Sequence, residues 1–202
     1  MRRVSAGVGG CLALEFANTA GDHLAASPFE RLSSWPNFAT WCVEQLITDK
    51  PTAAVMARFE CDLAPVIGLR ETVFEIGLAS ARQQRPRAKA LQLLLAAAGG
   101  PSPGVRIGAT GTRWRCGAEN EAQPVRSLLA REALALFCSP SAAQIRVCAG
   151  DLCGWLFVDE SRGLPRLWCS MGDCGNRAKA RRHQARTVTK QPFSDRTAVR
   201  TK

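Results

Sequence analysis

Four cysteines in the last third of this 202-residue chain have the spacing of a metal-binding site. They form two Cys-x4-Cys pairs separated by fifteen residues: Cys148 with Cys153, and Cys169 with Cys174. Structural zinc is held by four such ligands in a tetrahedral shell, which leaves no position open for water. The pattern therefore predicts one structural zinc ion and argues against a catalytic one.

The residues around these pairs predict a small zinc-stabilised fold. Strands are expected over residues 145–147 and 155–158, a return strand over 166–168, and a helix from Cys174 onward. This order of knuckle, hairpin and helix is typical of a treble-clef finger, and a core so small needs metal binding to stay folded. Three aromatic side chains are expected to pack around the metal: Trp155, Phe157 and Trp168.

The helix that follows Cys174 is predicted to bind nucleic acid. Its candidate contact residues are Asn176, Arg177, Lys179, Arg181, Arg182 and Arg186. Ala180 and Ala185 are small residues, and we expect the surface of the helix that carries them to lie against the finger. The cations cover the remaining surface, where arginine can make bidentate contacts with phosphate groups.

The charge of the chain is concentrated at its C-terminal end. The formal net charge is +10, yet residues 1–138 carry 15 basic and 12 acidic side chains and are nearly balanced. Residues 175–202 carry nine basic side chains and one acidic side chain, Asp195. This asymmetry favours a polyanionic partner that binds at the C-terminal end.

Composition and the remaining cysteines indicate an intracellular protein. Hydrophobic residues make up 46% of the chain, which is enough for a buried core. No apolar run approaches the roughly 18 residues that span a bilayer, and no secretory signal is present, so we expect a cytoplasmic location without membrane contact. The other five cysteines are scattered and are expected to be small buried hydrophobic residues: Cys11, Cys42, Cys61, Cys116 and Cys138.

Motifs for catalysis are missing from the sequence. It contains only two histidines, no Ser-His-Asp arrangement, no phosphate-binding loop and no glycine-rich dinucleotide motif. We therefore predict that the protein is not an enzyme and has no catalytic residues.

The rest of the chain is predicted to be mainly α-helical with small β elements, an α+β fold. Helices are expected over residues 35–48, 52–64, 66–84, 88–98 and 124–138, with a β-hairpin over 105–115. Hydrophobic periodicity does not decide whether residues 11–19 form a strand or begin a helix.

A domain boundary is expected at Ser139-Pro140-Ser141. The predicted parts are a helical sensor or dimerisation domain over 1–138, a zinc finger over 145–186 and a basic tail over 187–202. The tail has too few apolar residues to offset the entropy of ordering, so we expect it to be largely disordered.

Polar residues after the first apolar run are candidates for binding a small-molecule effector. Asn18 and Thr19, together with Asp22 and His23, could line a pocket in the helical domain. The alternative is an ordinary loop and helix cap.

Two segments resemble known bacterial families. The sequences CAGDLCGWLFVDESR and WCSMGDCGNRAKARRHQAR, within residues 146–186, are similar to the CGNR-type zinc finger. The segments CLALEFANT and FERLSSWPNFATW resemble the ABATE domain, which would cover most of residues 10–138. One departure is Glu15, where that family more usually has aspartate.

The resemblance implies a bacterial transcription regulator, of a family described as stress-induced, with the finger as its DNA-binding part. The residues alone leave two alternatives: an RNA- or ribosome-associated zinc protein, and a module whose finger binds an acidic protein. Unpaired bases are bound by stacking on free aromatic rings, whereas Trp155 and Trp168 are expected in the finger core. Duplex DNA is therefore the favoured partner.

Overall fold

The computed structural model describes residues 7–58, 61–102, 104–108, 111–115, 122–163 and 166–188, with side chains not described over 104–108, 111–115, 122 and 187–188. Its helices are α1 (Leu12–Ala17), α2 (Trp35–Glu44), α3 (Lys50–Met56), α4 (Ala64–Ala81), α5 (Ala88–Ala98), α6 (Ala122–Phe137) and α7 (Asn176–Val188). Its strands are β1 (Ala20–Gly21), β2 (Phe29–Glu30), β3 (Gly104–Gly108), β4 (Gly111–Arg115), β5 (Ile145–Val147) and β6 (Leu156–Val158). The mainly helical α+β prediction is confirmed.

Helix α2 begins as the sequence predicts and ends earlier. The Ser34 hydroxyl accepts a hydrogen bond from the Asn37 N–H at 3.3 Å, which caps the first turn. The helix stops at Glu44 because Leu46 adopts a left-handed conformation (φ 56°), and the Ile47 N–H bonds back to the Cys42 carbonyl at 2.8 Å. Glycine usually marks such an ending, so a leucine there gives no sequence signal.

Helix α3 begins two residues before the expected range and is shorter. Asp49 caps the helix by accepting a hydrogen bond from the Thr52 N–H at 2.9 Å. The helix ends at Met56, and residues 59–60 lie outside the described residues. Pro65 then occupies the first turn of α4, where a missing N–H costs no hydrogen bond.

Helices α1 to α6 surround a single hydrophobic core. Helix α1 packs against α4 and α6, and α5 packs against both of the latter. The most completely buried large side chains of this helical region include Leu14, Phe16, Phe38, Trp41 and Leu129. The apolar run at 11–19 therefore forms a central helix, and the β3–β4 pair forms the expected antiparallel hairpin.

Two of the scattered cysteines are buried as expected. Cys11 and Cys42 are buried, Cys61 is half-buried and Cys138 is exposed, so the prediction of burial is wrong for Cys138. Cys138 follows Phe137, the last residue of α6, and so lies outside the part of that helix that packs in the core. Cys116 and the tail beyond 188 lie outside the described residues, whereas residues 187 and 188 belong to α7.

The segment at the expected domain boundary is structured and leads into the core. Residues Pro140–Gln144 form a 3-10 helix, and the Ser80 hydroxyl of α4 donates a hydrogen bond to the Ala142 carbonyl at 3.1 Å. Strands β5 and β6 then pair antiparallel. Three of their buried side chains belong to the same apolar core as the helices, namely Ile145, Leu156 and Val158, whereas the buried Phe157 packs with the four paired cysteines.

The expected return strand over residues 166–168 is wrong, because no strand forms there. Strand β6 pairs with β5 on one edge, and its other edge is occupied by the N-terminal region. There the Val158 N–H donates to the Gly9 carbonyl at 3.1 Å, and Asn18 bonds to Leu156. Both edges of β6 are therefore occupied, and a return strand cannot pair with it. Among the described helices, none is long and apolar enough to cross a membrane.

Candidate metal centre and basic helix

The four paired cysteines converge on one buried site. Their sulfur atoms all lie within 4.8 Å of one another. The sulfur of Cys169 is 3.7 Å from that of Cys153 and 3.6 Å from that of Cys174. Zinc–sulfur bonds of about 2.3 Å in a tetrahedron place the sulfurs about 3.8 Å apart. The spacing of the thiols therefore fits one zinc ion, which agrees with the predicted structural site.

Backbone N–H groups support the sulfur of Cys148. The N–H of Gly150 donates to it at 3.4 Å, and the N–H of Cys169 donates at 3.3 Å. A Cβ atom at position 150 would lie 3.1 Å from the sulfur of Cys174 and 3.2 Å from the Cβ of Cys153. The knuckle can therefore close around the metal because position 150 is a glycine.

Four thiols this close cannot all ionise without a cation. The pKa of Cys153 falls to about 6, chiefly because the Cys169 thiol donates a hydrogen bond to it. The same interaction raises the pKa of Cys169, and burial raises the pKa of Cys148. A divalent cation at the centre favours the thiolate form of every ligand. The chemistry of the donor set thus agrees with the geometry.

Gly175 and Asn176 follow the last ligand, in the turn before α7. A Cβ atom on Gly175 would lie 2.6 Å from the sulfur of Met171, an exposed and flexible side chain that would have to move. The Asn176 side-chain amide donates to the Gly172 carbonyl at 3.0 Å. This turn, Met171–Gly175, is a π-helical turn. The helical path therefore starts at Met171, three residues before Cys174, whereas the sequence predicted that it starts at Cys174.

Arg177 contacts the metal centre directly. Its guanidinium donates to the sulfur of Cys174 at 3.0 Å, and this hydrogen bond raises the pKa of Arg177. One turn later, the guanidinium of Arg181 lies 3.2 Å from the carboxylate of Asp151, in the first knuckle. Both contacts fasten the start of α7 to the metal-binding loops.

Two family models match the chain over these regions. Residues 10–140 match the ABATE model, which is described as "Putative stress-induced transcription regulator". The chain belongs to the ABATE family. Residues 144–187 match the CGNR zinc finger. Both matches confirm the resemblance found in the sequence, and neither description names an enzymatic activity. No curated relative matches the chain.

The buried part of α7 is confined to its first turn. Ala178 is the buried residue there, at 6% exposure, whereas Ala180 and Ala185 are exposed. The expectation that the latter two face the finger is therefore wrong. Five residues at about 100° each separate Ala180 from Ala185 by about 140°, so the two alanines do not share one side of the helix. Residues 179–186 are all exposed.

The cations of α7 divide into two groups. Arg177 and Arg181 lie within roughly 40° of each other around the helix axis and contact the finger. The remaining three lie together on the opposite side and are here called the outward triad: Lys179, Arg182 and Arg186. Within the part of the chain that the structure describes, the outward triad makes no ion pair with a carboxylate.

The finger core contains the predicted aromatic residues. Phe157 is fully buried beside the four cysteines, and Trp155 and Trp168 are partly buried against them. The indole N–H of Trp155 donates to the Ala20 carbonyl of the ABATE region at 2.9 Å. The N–H of His23 donates to the Cys153 carbonyl at 2.9 Å. The ABATE region therefore packs directly on the first knuckle.

Asn18 and Thr19, the candidate effector-binding residues, have partners inside the protein. Both hydrogen-bonding ends of the Asn18 amide bond to the Leu156 backbone at 2.8 Å. The Thr19 hydroxyl donates to the Phe16 carbonyl at 2.8 Å. The two side chains are 6% and 2% exposed. That they bind a ligand stays a prediction.

A polar network around the buried Arg70, beside the finger, escaped the sequence analysis. Arg70 of α4 is 4% exposed and bonds to the carboxylates of Glu30 and Glu71. His23 stacks on Phe74, with ring centroids 3.5 Å apart, and its Nε2 lies 3.0 Å from Glu71. These residues lie far apart in sequence, and only the adjacent Arg70-Glu71 pair could have suggested an interaction.

Proposed function

We propose that this ABATE-family protein is a zinc-dependent DNA-binding protein that regulates transcription, and that α7 is its DNA-contacting element. The observation that carries the proposal is the projection of α7 beyond the finger. Its sequence from Asn176 to Val188 contains five cations and no acidic residue. After Ala178 every side chain described in this helix is exposed. A projecting cationic helix of this kind suits the major groove of DNA.

The two groups of cations have different parts in this proposal. Arg177 and Arg181 anchor the helix to the metal centre, and Asn176 stabilises the turn before it. The outward triad has its charges directed away from the finger and supplies the phosphate contacts. Metal binding therefore fixes the direction in which the triad points.

The test compares the salt dependence of DNA binding in the zinc-loaded protein and in a triple variant. Replacing Lys179, Arg182 and Arg186 with Ala removes three phosphate contacts. The slope of log affinity against log salt is then expected to become shallower by about 2–3 units, and binding should weaken on every duplex sequence.

A matched triple variant controls for net charge. Arg82, Arg85 and Lys89 are exposed cations of the ABATE region, and their replacement by Ala removes the same charge. This variant is expected to keep the slope of the unaltered protein. An equal loss in both variants would show a nonspecific charge effect, and no loss in either would exclude α7 as the contact surface.

An exposed aromatic residue supports RNA as the second candidate partner. Phe29 is 71% exposed and lines a groove of about 320 Å³ together with Trp155 and Arg177. Exposed rings beside a cation can stack on unpaired bases. A preference for single-stranded RNA over duplex DNA that is lost in Phe29→Ala would favour this candidate. Binding to acidic proteins alone would favour the interaction module instead.

A further inference from the structure

A groove in the ABATE region lies between α4, α5 and α6, away from the finger. It has a volume of about 230 Å³. Its lining is almost entirely apolar: Pro65, Gly68, Leu69, Leu93 and Ala97, with Thr72 and Arg126 as the polar members. Leu93 is 50% exposed and forms part of an open wall. A space of this size suits a ligand smaller than a typical drug molecule.

The two polar members of the lining differ in what they offer a ligand. The Thr72 hydroxyl already donates to the Gly68 carbonyl at 2.8 Å. The Nε atom of Arg126 is buried and has no hydrogen-bond partner in the structure as described. Arg126 is half-buried, lines the groove and makes no hydrogen bond or ion pair within the described residues, so its guanidinium is free to bind an acceptor that enters the groove.

We propose that this groove binds a small organic acid, with an apolar body between the helices and one carboxylate on Arg126. A guanidinium binds a planar carboxylate through two parallel hydrogen bonds. Transfer of a phosphate dianion into an apolar groove costs more free energy than transfer of a carboxylate monoanion, which favours the carboxylate. The apolar lining selects an acid with a hydrocarbon body over acetate.

The experiment uses the zinc-loaded full chain, with benzoate as the probe and benzamide as its neutral isostere. Amide chemical shifts are followed by NMR during titration. Benzoate is expected to give saturable shifts at residues 66–72 and 93–97, with benzamide binding at least about tenfold more weakly. Acetate should bind more weakly than benzoate because it buries less apolar surface.

Two variants locate the site. Arg126→Gln removes the cation and is expected to weaken benzoate binding at least about tenfold. Gly68→Leu fills the groove, since a Cβ at this position meets nothing within 4 Å, and should abolish binding while the fold is kept. Arg85→Gln removes a charge in the loop at the other end of α4 and should leave binding unchanged.

The proposal is overturned by any of three results. They are no saturable shift up to tens of millimolar benzoate, equal affinity for benzamide and benzoate, or unchanged benzoate affinity in Arg126→Gln. The comparison of the two probes uses the unaltered protein, so it decides the matter even if a variant fails to fold. None of these results depends on whether α7 binds DNA.

Discussion

The side-chain amide of Asn18 exchanges two hydrogen bonds of 2.8 Å with the backbone of Leu156, which lies 138 residues further along the chain. Leu156 is in β6, whose other edge already pairs with β5. The amide therefore takes the place that a peptide group of a third strand would occupy. This contact joins the end of α1 to the β5–β6 pair, and the first two cysteines of the metal centre lie in the loop between those two strands.

Replacing Asn18 with Ala should destabilise the whole protein. The N–H and C=O of Leu156 would then be buried without partners, and each unsatisfied group costs about 1–3 kcal/mol. We expect the free energy of unfolding to fall by about 2–4 kcal/mol, measured by urea denaturation of the zinc-loaded protein.

Asn37→Ala is the matched control for this change. The Asn37 amide donates to the Ser33 hydroxyl at an exposed position, so its loss should change the free energy of unfolding by at most about 0.5 kcal/mol. Similar effects of the two substitutions would contradict the importance given to the Asn18–Leu156 contact.

Removal of zinc is expected to loosen the helical core as well as the finger. Ile145, Leu156 and Val158 pack in the core with α1 and α4, so the strands that bring the first cysteine pair together also complete that core. Elemental analysis should find one zinc per chain. Chelation, or Cys169→Ser, should reduce the hydrogen-exchange protection of amides in α1 and α4.

The exposed Cys138 supplies the control, because Cys138→Ser should leave zinc content and protection unchanged. Well under one zinc per chain would rule out the site. Full protection of α1 and α4 after loss of zinc would instead support the finger as an autonomous domain that begins after the boundary predicted near Pro140.

The metal ligands could be predicted from sequence because their chemistry leaves a local pattern. Two cysteine pairs with the same internal spacing are typical of a zinc site, and the basic residues after Cys174 are close together in the chain. The helix over residues 88–98 was predicted at its observed bounds, because Pro86 precedes it and Gly99 follows it. In each case the residues that decide the structure are neighbours in sequence.

The rest could not be predicted because it depends on residues that meet only in the folded chain. Nothing near Asn18 in sequence indicates that its partner is Leu156. No pattern in the sequence around Cys174 indicates the π-helical turn that precedes α7. The orphaned Nε of Arg126 likewise becomes visible only when the α4–α5–α6 groove is assembled.

Arg177 is predicted to strengthen zinc binding through its hydrogen bond to a metal ligand. It donates to the sulfur of Cys174 and offsets part of the negative charge of four thiolates. Partners of metal ligands typically contribute a factor of about 10–100 in metal affinity. Arg177→Ala should therefore weaken zinc binding by about that factor, measured by competition with a chromophoric chelator.

Arg182→Ala is the control for charge in the same helix, since Arg182 belongs to the outward triad. It should leave zinc affinity unchanged while it weakens DNA binding. Equal zinc affinities in the two variants would show that the contact between Arg177 and Cys174 has no effect on the metal.

The network around Glu71 should make stability depend on acid pH. The pKa of Glu71 lies below its ordinary value of 4.5, chiefly because of its hydrogen bond with His23, with a further hydrogen bond from Arg70. A lowered pKa in the folded state means that the ionised form contributes stability above pH 4.5, and that this contribution is lost as the pH falls through the lower, folded-state pKa.

Glu71→Gln should therefore be less stable than the unaltered protein by on the order of 1 kcal/mol at neutral pH, because Glu71 is half exposed and solvent screens the interaction. The difference should shrink steadily below pH 4.5 as the carboxylate is protonated. Urea denaturation at a series of pH values measures both changes.

Glu75→Gln is the comparison for this prediction. The partner of Glu75 is Arg87, whose side chain is 80% exposed, so screening by solvent should leave a smaller loss of stability in Glu75→Gln than in Glu71→Gln. A difference between Glu71→Gln and the unaltered protein that is independent of pH would contradict an ionised Glu71 as the stabilising group.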